Sequence, residues 1–171
     1  MIVLMAGLPG TGKTTLAREL ALRISGRVLS KDEFRHAIFL PEEIEYSSRQ
    51  DDLCLHLMLE TAGYFLARDP ARKILLDGRP FSRRYQIENV LAAAERQHQP
   101  WRILECVCPE KTVRRRLEAD INSGAHPAEN RNFQLYLEVK ARFEAITFPK
   151  AVIDTDHPLE TCVQQALGFL E

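Results

Sequence analysis

Residues 7–14 read Gly7-Leu8-Pro9-Gly10-Thr11-Gly12-Lys13-Thr14, and they fit G-x-x-x-x-G-K-[ST], the pattern of a phosphate-binding loop. The spacing has a chemical cause. A ring of backbone N–H groups must close around a phosphate, and side chains at the tight points would obstruct it, so glycine stands there. Lys13 supplies a positive charge that reaches β- and γ-phosphates, and Thr14 supplies a hydroxyl for Mg²⁺. The flanks have the order that the motif needs. Ile2-Val3-Leu4-Met5-Ala6 is an uncharged apolar run, as a buried parallel strand requires. After the loop, Leu16, Leu20 and Ile24 recur at helical spacing, with Arg18, Glu19 and Arg23 between them. The helix they predict aims its positive end at the bound anion. The alternative is a Gly/Pro-rich turn that matches by chance; four fixed positions between a strand and a helix weigh against it.

The chain has 171 residues, which suits one domain, 1–171, with a full-sized core. Apolar residues make up 45% and charged residues 27%, ordinary for a soluble globular protein. A net charge of −1 gives no overall positive field for nucleic acid, although a local basic patch is compatible with it. Cys54, Cys106, Cys108 and Cys162 lack metal-site spacing and read as reduced thiols, as in a cytosol, so the expected location is cytoplasmic. No signal peptide is legible and no apolar run is long enough to cross a bilayer. No membrane partner is therefore expected.

Arg27-Val28-Leu29-Ser30 reads as a second strand. Ser30 or Asp32 can cap the helix that follows. Asp32 and Arg35, three apart, lie on neighbouring faces of its first turn; taken alone they read as a cap and a surface charge. Pro41-Glu42-Glu43 breaks the chain. A long helical pattern through Leu53, Leu57 and Phe65 runs to about Arg68 and stops at Asp69-Pro70.

Ile74-Leu75-Leu76-Asp77-Gly78 is an apolar strand ending in a carboxylate. Beside a phosphate loop, Asp77 can approach the metal through water, or approach the substrate; otherwise it caps a turn. Arg79, Arg83 and Arg84 follow at the strand's C-terminal end, where ligands bind in open α/β sheets. They suit bidentate contacts to a phosphate or sulfate on an acceptor, or else they are solvated charges. Ser82 reads as the cap of a helix to about Gln97.

Trp101–Val107 is the fourth strand. A helix opening at Pro109-Glu110 carries Arg114, Arg115 and Arg116 to about Asn122, and residues 123–131 form a loop. A further helix spans about Asn132 to Ala145. Ala151–Asp154 is the fifth strand. Asp156 reads as the cap of a last helix, about Leu159 to Leu170, that begins after Pro158. Strands alternating with helices predict an α/β three-layer sandwich, a five-stranded parallel sheet covered on both faces.

Together these residues resemble the small P-loop kinases, and within them the AAA_33-type ATP-binding proteins. That set lies near the kinase part of phage polynucleotide kinase, chloramphenicol phosphotransferase, zeta toxins and adenylylsulfate kinase. The matching pieces are Gly7–Thr15, Asp32-x-x-Arg35, the strand at 74–78, the arginines at 114–116 and Ile153-Asp154-Thr155-Asp156. They span nearly the whole chain in the right order.

The resemblance implies a sheet ordered 2-3-1-4-5 with a helical lid at about 114–131. It implies that Gly7, Leu8, Pro9, Gly10, Thr11, Gly12, Lys13, Thr14 and Thr15 hold Mg²⁺–ATP, with Thr155 and Pro158 beside the adenine. Asp32 would take the proton of an acceptor hydroxyl. Arg35 would hold an anionic part of that acceptor or orient Asp32. A lid arginine, Arg116 or Arg131, would stabilise the transferring phosphoryl group or pack on the adenine. The chain departs from the family pattern at Asp120, where an arginine is expected, and at Gly78-Arg79-Pro80, where Ala-Thr-Phe is more usual.

The expected activity is therefore transfer of the γ-phosphate of Mg²⁺–ATP to a hydroxyl of a small anionic acceptor, nucleotide-like or a phosphorylated metabolite. Asp32, Arg35, Asp77, Arg79 and Arg83 are the expected acceptor residues. Three alternatives stay open. They are a polynucleotide 5′-hydroxyl kinase, with nucleic acid only as an end substrate; an antibiotic or sugar-nucleotide kinase; and a nucleotide-binding switch or ATPase module without an acceptor.

Overall fold

The computed structural model describes residues 1–123 and 132–171, with side chains described to residue 120 and again from 132. Five strands, β1 (Ile2–Ala6), β2 (Arg27–Ser30), β3 (Ile74–Asp77), β4 (Trp101–Val107) and β5 (Ala151–Asp154), form one parallel sheet ordered β2-β3-β1-β4-β5. This is the expected order. The helices are α1 (Lys13–Arg23), α2 (Lys31–Ile38), α3 (Ser48–Arg68), α4 (Arg84–Arg96), α5 (Glu110–Ser123), α6 (Phe133–Ala141) and α7 (Leu159–Leu170).

The central strand shows why the sheet needs two covers. Ile2, Leu4 and Ala6 point into a core built with α3 and α4 through Met58, Ala62, Val90 and Ala94. Val3 and Met5, on the opposite face, pack with Leu16 and Leu20 of α1 and Val163 and Ala166 of α7. A strand buried on both faces has no polar side to show, so it reads as a continuous apolar run. The chain leaves β1, β2 and β3 at the same, carboxyl end of the parallel sheet. The three segments that carry Gly7–Thr14, Asp32 with Arg35, and Asp77 to Arg84 are thereby gathered there.

Of the two caps expected for α2, Ser30 is the one that forms, accepting from Glu33 N at 3.4 Å. Three local expectations are corrected. Ser82 does not cap α4: the N-cap is Arg83, whose N–H donates to Gln86 Oε1 at 3.3 Å. Asp156 does not cap α7, which starts after Pro158; its carboxylate instead accepts from Thr112 Oγ1 at 2.7 Å. Helix α6 ends at Ala141, not 145. Beyond it the chain turns inward to bury Ile146 and to pack Phe143 and Phe148 against the α3–α4 core. Tertiary burial there outweighs helical propensity. The outer part of the expected lid, with Arg131, lies outside the described residues.

Candidate active site

The phosphate loop is shaped by backbone conformations that need glycine. Gly7 has φ +128°, and a Cβ at that position would stand 2.3 Å from Cys106 O. Gly12, at φ +78°, is the N-cap of α1, a left-handed conformation that glycine adopts without steric cost. Helix α1 thus begins at Lys13, its N–H groups facing the loop's hollow. Lys13 is largely buried, and its Nζ donates to Leu8 O at 2.8 Å. Thr11 Oγ1 donates to the same carbonyl at 2.7 Å. Val113 and Leu117 of α5 lie close behind Gly10.

Thr14 faces two cavities, one on each side of the loop. The first, of about 430 Å³, runs past Gly12, Thr15 and Arg116 to Thr155, His157 and Leu159. Pro158 sits between the last two as the N-cap of α7. The Arg116 guanidinium is fixed here. Nη1 donates to Thr155 Oγ1 at 3.0 Å and Nη2 to Thr155 O at 2.7 Å. Thr155 Oγ1 in turn donates to Thr11 O at 2.9 Å, so Arg116 is tied through Thr155 to the phosphate loop.

The second cavity, of about 280 Å³, has Pro9, Lys13 and Thr14 along one wall and Asp32 and Arg35 on another. Arg35 is not a surface charge: it is 1% exposed. Its Nη1 donates to Asp32 Oδ1 at 2.9 Å, its Nη2 to Asp51 Oδ1, and its guanidinium lies 5.0 Å from the Tyr46 ring centre. Lys31 Nζ donates to Asp51 Oδ1 at 2.9 Å and stands 3.6 Å from Asp32 Oδ1. Asp32 is therefore held in place by two cations that share a second carboxylate.

The residues after β3 divide. Asp77 is buried, and its Oδ1 has no hydrogen-bond partner. A buried carboxylate oxygen without a donor asks for a cation or water. Arg79 lines the 280 Å³ cavity, and its Nη2 donates to Asp52 Oδ1 at 2.6 Å. Arg83 also lines it, but its Nη1 donates to Glu144 Oε1 at 2.9 Å, while Arg84 N donates to Glu144 Oε2 at 2.7 Å. Glu144 is held below the usual carboxylate range by these two donors, the backbone one first. Arg84 turns to Glu88 and the Phe148 ring.

The four cysteines are free thiols. Burial pushes Cys106 up to about 12 and raises the other three as well, so none is activated as a thiolate nucleophile. Among the described residues no three His, Cys, Asp or Glu side chains gather as a metal-binding group, and no helix is long and apolar enough to cross a membrane.

Of the expected residues, the structure brings Lys13, Thr14, Asp32, Arg35, Arg79 and Arg83 onto one cavity, and Thr14, Thr15, Arg116 and Thr155 onto the other. The sequence reading missed Lys31, Asp51, Asp52 and Glu144. Asp51 stands in the first turn of α3, with Asp52 next to it, after the cap Ser47, which accepts from Gln50 N at 3.2 Å. Acids there read as ordinary partners of a helix N-terminus, so their pairing with Arg35 and Arg79 left no local sign.

The AAA_33 profile, described as AAA domain, matches residues 2–146. No curated protein matches the sequence. Among solved structures, a Chloroflexus aurantiacus protein provisionally classed as a kinase is 22% identical, with TM-score 0.75, covering 99% of this chain and 98% of its own. An APS kinase of Mycobacterium tuberculosis, solved with AMPPNP and APS, is 16% identical with TM-score 0.72, covering 99% and 96%. A gluconokinase from Sinorhizobium meliloti is 17% identical with TM-score 0.66, covering 99% and 90%. Likeness at these identities is likeness of fold, and that fold is the P-loop kinase fold.

Proposed function

The chain belongs to the AAA_33 family of AAA domains, and from that premise we propose that it is an ATP-dependent phosphotransferase acting on the hydroxyl of a small molecule. One observation carries the reading. Two cavities meet at the phosphate loop through Thr14, and among the described residues only the second contains a buried, cation-flanked carboxylate, Asp32. A nucleotide on the Arg116 side would present its terminal phosphate toward the cavity that holds Asp32. An enzyme that only hydrolyses ATP has no use for that second cavity, which weighs against the switch reading. The structural relatives named as kinases, one of them solved with AMPPNP, support the same view.

In this proposal Gly7–Thr15 cradles the ATP phosphates, and Arg116 with Thr155 lies along the nucleoside. Thr14 and Asp77 would hold Mg²⁺, Asp77 through water; its partnerless buried oxygen and the glycine-shaped loop fit that role. The metal, when bound, neutralises charge on the β- and γ-phosphates. Lys13 leaves Leu8 O to meet the γ-phosphate. Asp32 receives the acceptor's hydroxyl proton while Arg35 and Lys31 keep its carboxylate oriented. The freed oxygen bonds to the γ-phosphorus as the bond to the bridging oxygen breaks, and ADP leaves. Positioning and charge neutralisation do most of this work. A cytosolic setting, where ATP and reduced thiols coexist, belongs to the same proposal.

The test is transfer of label from γ-labelled ATP to a pool of small hydroxylated metabolites and, separately, to 5′-hydroxyl DNA and RNA oligonucleotides. Label in the small pool is expected. Label on the oligonucleotide would make the protein an end-kinase. Label released only as free phosphate would overturn the proposal.

A further inference from the structure

Six cations line the acceptor cavity; Lys13 donates to Leu8 O, Arg142 is exposed, and three of the other four are committed to carboxylates. Arg35 serves Asp32 and Asp51, Lys31 serves Asp51, and Arg83 serves Glu144. Arg79 differs. It is 2% exposed, and only its Nη2 is engaged, by Asp52, a residue open to solvent. Its Nε and Nη1 are buried with no hydrogen-bond partner. These two atoms carry three of the five N–H bonds of a guanidinium that is always charged. Buried donors are nearly always paired, and an unpaired group on a charged residue is costlier to bury than a neutral one.

We infer that Arg79 reads a compact oxyanion on the acceptor, a carboxylate or a phosphate, and so makes the substrate class small hydroxylated anions rather than neutral polyols or polymers. The inference rests on the phosphotransferase reading for the reaction, but not for the binding. The lining carboxylates Asp32 and Asp51 are both paired to Arg35 and Lys31. They are not available to offset Arg79, so the cavity favours an entering anion. Its volume, about 280 Å³, corresponds to roughly nine waters and lies at the small end of ligand cavities. A sugar-sized molecule fits that space, with its hydroxyl toward Asp32 and its anion toward Arg79.

Arg79 as a mere strut between β3 and α3, through Asp52, makes a different prediction, since a strut does not discriminate among acceptors. The experiment compares two series, glucose with glucuronate and glucose 6-phosphate, and glycerol with glycerate and glycerol 3-phosphate. Transfer from γ-labelled ATP is measured for the parent, Arg79→Met, Arg79→Lys and Asp52→Asn. The same six compounds are titrated calorimetrically into each protein with AMPPNP present.

The parent is expected to prefer an anionic member of at least one series, and the carboxylate and phosphate arms tell which anion is read. Arg79→Met is expected to raise the KM for that anion by about 10- to 100-fold and to bring the anionic and neutral compounds close together. Arg79→Lys recovers part of the preference, and Asp52→Asn, which removes only the strut, retains it. Absence of any anion preference in binding or transfer overturns the inference. So does a fall in Arg79→Met that is proportionate for neutral and anionic compounds. Anion-selective, Arg79-dependent binding with label released only as free phosphate would keep this inference and remove the phosphotransferase reading. Transfer indifferent to charge would do the reverse.

Discussion

The two sides of the phosphate loop are built from different material. The side proposed for the nucleotide is mostly backbone: glycines at positive φ, the first turn of α1, and a threonine that bonds main-chain oxygens. The side proposed for the acceptor is mostly side chains that meet across the fold. Arg35 reaches Asp51, sixteen residues on; Arg79 reaches Asp52, twenty-seven back; Arg83 reaches Glu144, sixty-one on. A site made of backbone needs a fixed run of residues and so leaves a motif. A site made of distant ion pairs needs only the right partners after folding, and it can change its ligand by changing one of them.

The largest effect is expected at the phosphate loop itself. Lys13→Ala is expected to lower phosphoryl transfer by about 10³-fold or more, with the fold intact by circular dichroism; near-parental turnover would remove Lys13 from the chemistry. On the acceptor side the largest effect is on stability. Asp51→Asn leaves Arg35 and Lys31 short of a carboxylate in a buried place. A loss of about 2–3 kcal/mol in urea unfolding is expected, less than for a fully buried pair because Asp51 is partly exposed. Nucleotide affinity should hardly move; if it falls with stability, the two sides are one cooperative unit.

Arg116→Ala sharpens the contrast from the other direction. It removes two hydrogen bonds to Thr155 and is expected to weaken ADP binding by about tenfold, measured by calorimetry, with the acceptor KM unchanged.

The smallest effect belongs to neither side. Arg23 and Gln164 hold the Glu160 carboxyl down at about 2, Arg23 being the larger cause. A folded pKa below the ordinary 4.5 means that the stabilisation is complete above about pH 4.5 and fades as pH falls toward 2. Parent and Glu160→Gln should therefore differ slightly in thermal unfolding at neutral pH and converge near pH 2. Both should bind nucleotide alike.

How much was legible follows the same division. The strands and the loop followed from continuous apolar runs and from Gly7–Thr14, and the strand order from the resemblance to P-loop kinases. The runs and the loop are local patterns, and the sheet and the glycine conformations bear them out. The misreadings were also of one kind. Ser82 and Asp156 have the right chemistry for helix caps, yet α4 starts after Arg83, and Asp156 is drawn to Thr112. Helix α6 stops early because Ile146 is buried, with Phe143 and Phe148 packed against the same core. Arg35 reads as a surface charge until α3 brings Asp51 beneath it. In each case a partner far along the chain decided the outcome, and no window of sequence contains both partners.

Asp32→Asn shows whether Asp32 serves a second substrate. Parent and variant are given γ-labelled ATP and the acceptor pool, and ADP affinity is measured beside them. Label on the acceptor is expected to fall by roughly 10²–10⁴-fold while ADP binds as before. Equal transfer by both proteins, or label released only as free phosphate by both alike, would contradict it.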